Sequence, residues 1–415
     1  MGLTRVGYAR RAHGSVRDRM LADKISAVIA GRLAVATHEE LNSDEFEDLR
    51  VVFALCASQH LPQTQAQPHL SAEFREPFNV DIWGDTEFEN VFYFQKGEFN
   101  ELVNELWQHL ADPLDDDASD EERNREGAKR TIKTKNRTVF TVEEAFATTL
   151  CRLHLGWSIK LVAREMTRQM GAVSDIVNIV AERLFPLCRK LFGDLLHLQH
   201  QPERVEKLKQ AVARKCGHLD KGYTHFIDGT TQQVCRPTRG QQSVYSGNHR
   251  VHGVCYVASR AGDGICDNLC LAMAGRHHDA FAINPNQLVQ QLEEVSATLG
   301  TQVAVYGDSA FYGFGPHIGH AYKDCAATTP DQAQETLDMY SGRIIIEWQF
   351  GEQDGAWAIL RNKHAKKILN SPVELHFNLC VLLTNCATCL RGNNTSAYFD
   401  LDPPLLDDYL NNNIK

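Results

Sequence analysis

What constrains this chain most is a change of texture at Lys221. Upstream, apolar residues recur every three or four positions; downstream they fall into short runs, some with an acid at their end. Residues 223–227 alternate polar and apolar and end in Asp228-Gly229. The β-rich runs 251–258 and 265–273 are separated by Gly262-Asp263-Gly264, which predicts a hairpin. A helix follows, with Asn284 read as its cap, Pro285 at its first position, the stripe Leu288, Leu292, Val295, Leu299, and Gly300 as its stop. Residues 303–306 form a short buried strand ending in Gly307-Asp308, and Glu347 follows Ile344-Ile345-Ile346.

Three strands, a helix, a strand and further helices suit an α/β fold of RNase H-like type. The expected core is a mixed five-stranded sheet flanked by helices, with the first and fourth strands side by side. Asp228 and Asp308 then project from neighbouring strand ends, and Glu347 is placed to join them from a later helix.

The upstream part reads as helical. Phe99, Leu102, Val103, Leu106 and Leu110 have amphipathic spacing. Thr141-Val-Glu-Glu144 predicts a capping box. Ser158 is read as the cap of a second helix, Gly171 as its break, and Ser174 as the cap of a third. Three short helices with a glycine in the last turn suit a helix-turn-helix, although any small bundle shares that pattern. The expected organisation is a basic tail at 1–37, a helical region at 38–111 and a charged linker at 112–138. A helix-turn-helix-like domain follows at 139–192, a linker helix at 193–222, the sheet domain at 223–392 and a C-terminal tail at 393–415.

The net charge of −10 argues at first against a nucleic-acid partner. Binding depends on local patches, however, and the charge is segregated. Residues 127–192 hold twelve Lys and Arg against five Asp and Glu, whereas 112–126 hold eight acids against two arginines. No run approaches the ~20 apolar residues that cross a bilayer, and residues 1–20 lack the apolar stretch of a secretory signal. An intracellular protein with reduced thiols is therefore expected. Cys386 and Cys389, and Cys266 and Cys270, sit in apolar surroundings and are read as buried small hydrophobes. His225 is read as a satisfied core histidine.

The acids carry the chemistry. Two carboxylates about 4 Å apart repel by roughly 4 kcal/mol at an effective dielectric of about 20, so a cluster of three or four needs a cation. All-oxygen donors select hard ions such as Mg²⁺ or Mn²⁺. Singly, each acid is an ordinary turn or surface residue.

Five blocks change that reading: Phe226-Ile-Asp-Gly-Thr230, Tyr245-Ser-Gly-Asn-His-Arg-Val-His-Gly253, Gly275-Arg-His-His-Asp279, Tyr306-Gly-Asp-Ser-Ala-Phe-Tyr312 and Ile346-Glu-Trp-Gln-Phe-Gly351. In this order, from Tyr223 to about Gly392, they resemble the DDE superfamily endonuclease domain of Harbinger-type (PIF/Harbinger) transposases. The resemblance implies Asp228, Asp308 and Glu347 as catalytic residues, with Asp279 as a further metal ligand beside them. It implies two divalent ions, Mg²⁺ or Mn²⁺, and hydrolysis or strand transfer at the phosphodiesters of double-stranded DNA. A nuclear location follows from that substrate, with the cytoplasm as the other option. A separate DNA-binding accessory protein and a homo-oligomer are compatible with it; a membrane is not a partner. Tyr245, His249, Arg250 and His252 form a basic-aromatic patch suited to nucleic-acid contact.

Where basic helical residues are expected after the glutamate, Gln353-Asp354-Gly355 stands instead. Gly351 and Gly355 each cost about 1 kcal/mol in a helix interior, so the helix carrying Glu347 is expected to be short or bent. Glu352 and Asp354 are its nearest substitutes. The competing reading is a domesticated, catalytically silent protein that binds DNA or a partner on the same scaffold. A His-Asp metal phosphohydrolase built on His277-His278-Asp279 suits the strand-rich surroundings poorly.

Overall fold

The computed structural model describes residues 78–112, 130–238, 240–247, 249–284, 286–323, 328–368, 371–412 and 414. The basic tail at 1–37, the start of the helical region and most of the charged linker lie outside the described residues.

The N-terminal layer is helical because its apolar residues keep one face. Helices α1 (Asp85–Phe92) and α2 (Lys96–Leu110) bury Phe88, Phe92, Phe99, Leu102, Val103, Leu106 and Leu110. A two-stranded ribbon, β1 (Thr131–Lys133) and β2 (Val139–Thr141), occupies the end of the predicted linker. It leads into α3 (Val142–Leu155), α4 (Ile159–Glu165) and α5 (Met170–Phe192).

The capping box at Thr141 is half formed. The Thr141 hydroxyl accepts from the Glu144 amide at 3.1 Å. The Glu144 carboxylate turns instead to Arg168, at 2.7 Å from its Nε, because an ionised donor outcompetes an amide. Ser158 caps α4 as expected. The predicted break at Gly171 and cap at Ser174 are corrected: α5 begins at Met170, with both residues inside its first turns. Burial of Val173, Ile176, Val177, Val180 and Leu184 along one face outweighs the propensity cost of one glycine.

After α6 (Pro202–Cys216) comes the sheet. Its strands are β3 (Tyr223–Gln233), β4 (Tyr245–Ser246), β5 (Val251–Ala261), β6 (Cys266–Leu269), β7 (Met273–Ala274), β8 (Ala304–Gly307) and β9 (Ile318–His320). The order is β4-β5-β3-β8-β9, with β6 and β7 also pairing β5. β5 runs antiparallel to β3, while β8 is parallel to β3 and β9 parallel to β8. The sheet is mixed, as predicted, but has seven strands where five are expected. The run 265–273 leaves the ladder midway: the Leu271 amide donates to Asn286 Oδ1 at 3.1 Å, which separates β6 from β7.

Helix α7 (Leu288–Leu299) starts later than expected. Gln287, at φ 52°, precedes it in place of Asn284 as cap, and Gly300 ends it at φ 64°. Alternation along the strands separates two cores: Phe226 and Tyr306 face one, which runs on into α3, α5 and α9 (Val373–Arg391), and Ile227 and Val305 face the other, under α7.

Helix α8 (Pro330–Ala356) packs against β3. It is unbroken for 27 residues, so the expected short or bent helix is not found. Gly351 sits in open space at its surface, and Gly355 lies next to its last residue. Helix α9 is long and apolar enough to cross a bilayer by length and composition, a run that its scattered polar residues hide in the sequence, but most of it is buried within the protein. Residues Asn394–Phe399 and Leu406–Asn411, in the predicted tail, are helical and bury Phe399 and Tyr409.

Candidate active site

The site forms where β8 ends beside the middle of β3, which runs on to Gln233 instead of ending at Asp228 as expected, because its pairing with β5 continues. Phe226 pairs with Tyr306 in parallel register, so Asp228 and Asp308 each lie two residues beyond a shared pair and share its face of the sheet. The Asp228 carboxylate accepts from the Gly229 amide at 2.8 Å. Asp308 caps a short 3₁₀ turn (Ser309–Phe311), accepting from Ala310 N at 2.9 Å. That bond fixes its side chain at the strand end.

Asp279 arrives from a 3₁₀ turn (Asp279–Ala282) that follows β7. Its carboxyl carbon lies 2.0 Å from where a Cβ on Gly229 would stand. Only a residue without a side chain permits this approach.

Burial pushes Asp228 up to about 6; its bond from the Gly229 amide and the Arg343 guanidinium oppose this, while Asp308 and Asp279 reinforce it. Asp279 is raised as well, by burial and then by Asp308, with His249 and His278 opposing. Three carboxylates thus act on one another at the end of the β3–β8 pair. Two of them are held above the ordinary carboxylate range, as expected for like charges out of bulk water.

Glu347 is placed differently. It is exposed on α8 and lines a shallow notch of about 410 Å³ with Ile344, Trp348, Gly351, Glu352 and Asn394. It is not among the charges acting most strongly on Asp228 or Asp279. The α8 side chain that reaches Asp228 is Arg343, one turn earlier. Its approach depends on Gly342, whose missing Cβ would lie 2.3 Å from Phe226 Cζ and 2.8 Å from Cys216 Sγ. The two substitutes for Glu347 are engaged elsewhere: Glu352 takes a 2.6 Å bond from the buried Arg260, and Asp354 lies within the fields of Lys366 and Arg361. Among the described residues, no three His, Cys, Asp or Glu side chains stand together in a group that could hold a metal ion. The three aspartates nevertheless lie close enough for Asp308 to act on both Asp228 and Asp279, and for Asp279 to act on Asp228.

The basic-aromatic patch lies at the far end of β3. Tyr245, His249 and Arg250 are exposed, Tyr245 stacks edge-on against His252 at 5.3 Å, and Arg250 has a left-handed φ of 55°. His249 also reaches the acids, since its charge acts on Asp279. His225 is a buried core histidine, with Nδ1 2.7 Å from Thr224 Oγ1 and Nε2 2.9 Å from Asp267. Asp267 also takes Arg204, in a bond of 2.7 Å. Cys266, Cys270 and Cys386 are buried and Cys389 is half-buried, all four as free thiols.

Sequence reasoning passed over Arg343. The signal was available in hindsight: Arg343 and Glu347 are four apart on one helix, so they share a face.

Residues 227–385 match the family model of the DDE superfamily endonuclease. The matched stretch contains the three aspartates, Arg343 and Glu347, and ends within α9. Nothing matches among curated proteins or among solved structures. A DDE superfamily endonuclease region suggests nuclease or transposase-like work on DNA, and divalent metals are general to that family.

Proposed function

We propose that this chain is a divalent-metal-dependent DNA endonuclease of the Harbinger type, acting by phosphodiester hydrolysis or strand transfer. The observation that carries the reading is that Asp228 and Asp308 each lie two residues beyond the Phe226–Tyr306 pair, with Asp279 laid over Gly229. Such a group gains from a cation, and its donors are all oxygen, which fits Mg²⁺ or Mn²⁺. Asp228, Asp279 and Asp308 would hold the metal, and Glu347 would supply the fourth carboxylate from the face of α8 that it shares with Arg343. When bound, a pair of such ions lowers the pKa of an attacking water and stabilises the leaving oxygen. Within the protein, the Asp308 cap and the Gly229 amide orient two carboxylates, and Arg343 offsets their charge.

The strand order, with its parallel β3–β8 pair, supports an RNase H-like assignment. On the same reading α3, α4 and α5 serve as a helix-turn-helix, with Lys160 and Arg164 exposed toward DNA. Tyr245, His249, Arg250 and His252 then contact the nucleic acid. The substrate places the protein in the nucleus, with an accessory DNA-binding protein and self-association as its expected company.

The full chain should nick supercoiled plasmid in Mg²⁺ or Mn²⁺, and EDTA or Asp228→Asn should stop it. Nicking that persists in Asp228→Asn would sink the proposed site. The exposure of Glu347 favours one competitor, a catalytically silent DNA-binding protein on this scaffold. Salt-sensitive DNA binding with no metal-dependent nicking is its signature.

A further inference from the structure

We infer that the loop after α8 is a phosphate-binding platform that seats double-stranded DNA a few base pairs from the aspartates. The inference rests on the nuclease reading for its substrate. Residues 361–367, Arg-Asn-Lys-His-Ala-Lys-Lys, contain four Lys and Arg and no acid, in a chain whose net charge is −10. Arg361, Lys363, His364 and Lys367 are all exposed. A basic run of this length is most often a solvated surface, so the weight falls on how this one is held.

It is pinned to the strand that carries Asp228. The buried Lys366 ammonium donates to Gln232 Oε1 at 2.9 Å, and also to the Leu360 carbonyl. The Cys235 amide donates to the Lys366 carbonyl at 3.0 Å, and the Cys235 thiol to the Lys363 carbonyl at 3.2 Å. On the other side, Asn362 Nδ2 donates to the Gly156 carbonyl at 3.0 Å. A solvated loop does not need three anchors on two separate parts of the fold.

The anchors also set the distance. Gln232 is four residues beyond Asp228 on β3, which is about 13 Å at ~3.3 Å per residue. Duplex DNA rises ~3.4 Å per base pair along each strand, so the platform meets phosphates roughly four base pairs from the aspartates. Arg236, exposed one residue beyond the Cys235 anchor, extends the surface toward His252, on which its charge acts. Positive charge therefore runs from the loop into the basic-aromatic patch.

The test is a fluorescence-anisotropy titration of the full chain against a labelled duplex of arbitrary sequence, at several salt concentrations. The triple variant Arg361→Ala/Lys363→Ala/Lys367→Ala should weaken binding uniformly across sequences. It should also lower the slope of log affinity against log salt by about 2–3, close to one per lost phosphate contact. Asp228→Asn should lose cutting and keep the full slope. An unchanged slope in the triple variant overturns the platform, even where the protein cuts DNA. A wild-type protein that does not bind duplex at all overturns it too. A wild-type protein that binds with the slope expected here, shows the drop in the triple variant and never cuts leaves the platform standing and removes the nuclease reading.

Discussion

Asp279 occupies the space that a side chain on Gly229 would fill, its carboxyl carbon 2.0 Å from that missing Cβ. A turn of chain some fifty residues away in sequence thereby reaches the strand residue next to Asp228. The glycine serves to admit an acid.

Gly229→Ala should therefore displace Asp279. Overpacking of this kind costs about 1–3 kcal/mol, which thermal unfolding would read. Metal-dependent nicking should fall at least ~10²-fold, as misplacing a group by about 1 Å does elsewhere. Full activity in the alanine variant would remove Asp279 from the site.

Asp228→Asn takes one charge from three crowded carboxylates. Metal-dependent cutting should be lost, while stability in metal-free buffer rises by about 1 kcal/mol. Mg²⁺ should raise the melting temperature of the wild type and leave the variant nearly unchanged, because a ligand stabilises only the state that binds it. Equal Mg²⁺ shifts in both proteins would argue against Asp228 as a ligand.

Two variants on α8 separate placement from chemistry. Glu347 is exposed, so Glu347→Gln should leave stability within about 0.5 kcal/mol yet abolish cutting. Gly342→Ala drives a methyl into Phe226 and should lower stability by about 1–3 kcal/mol, losing activity by moving the helix. Cutting unaffected by Glu347→Gln would take the glutamate out of the mechanism.

Burial lowers the Lys366 amine from 10.5 to about 8, with Asp354 and Cys380 opposing. The folded protein therefore gives up this proton before the unfolded chain does. Between pH 8 and 10.5 the unfolded state binds more protons, so the lysine's contribution to stability grows with pH. Relative to Lys366→Met, the wild type should gain up to about 3 kcal/mol across that window. Denaturant midpoints at pH 7 and pH 10.5 would show it; a difference independent of pH would contradict the burial.

The sequence was readable where local rules govern. The alternation of 223–227 and the short run 303–306 located β3 and β8, and the stripe from Leu288 to Leu299 located α7. It misled where local signals compete with burial. Gly171 and Ser174 look like a helix boundary but lie within α5, whose apolar face continues past them. Gly351 and Gly355 look like breaks in α8, and the helix runs through or up to both.

By itself the sequence located the strands that carry Asp228 and lead to Asp308, since side-chain alternation and apolar runs are properties of neighbouring residues; that β3 continues past Asp228 was decided by its pairing with β5. It placed Asp228 and Asp308 as candidates before any contact was visible. Only the tertiary structure decided which groups meet. The parallel register of β3 with β8 brings those two acids to the same end of the pair, and a glycine admits Asp279 beside Asp228. The packing of Gly342 on Phe226 brings Arg343 to Asp228, while Glu347 points to solvent. Pairing register and helix rotation depend on residues tens to hundreds apart, and no local pattern carries that information.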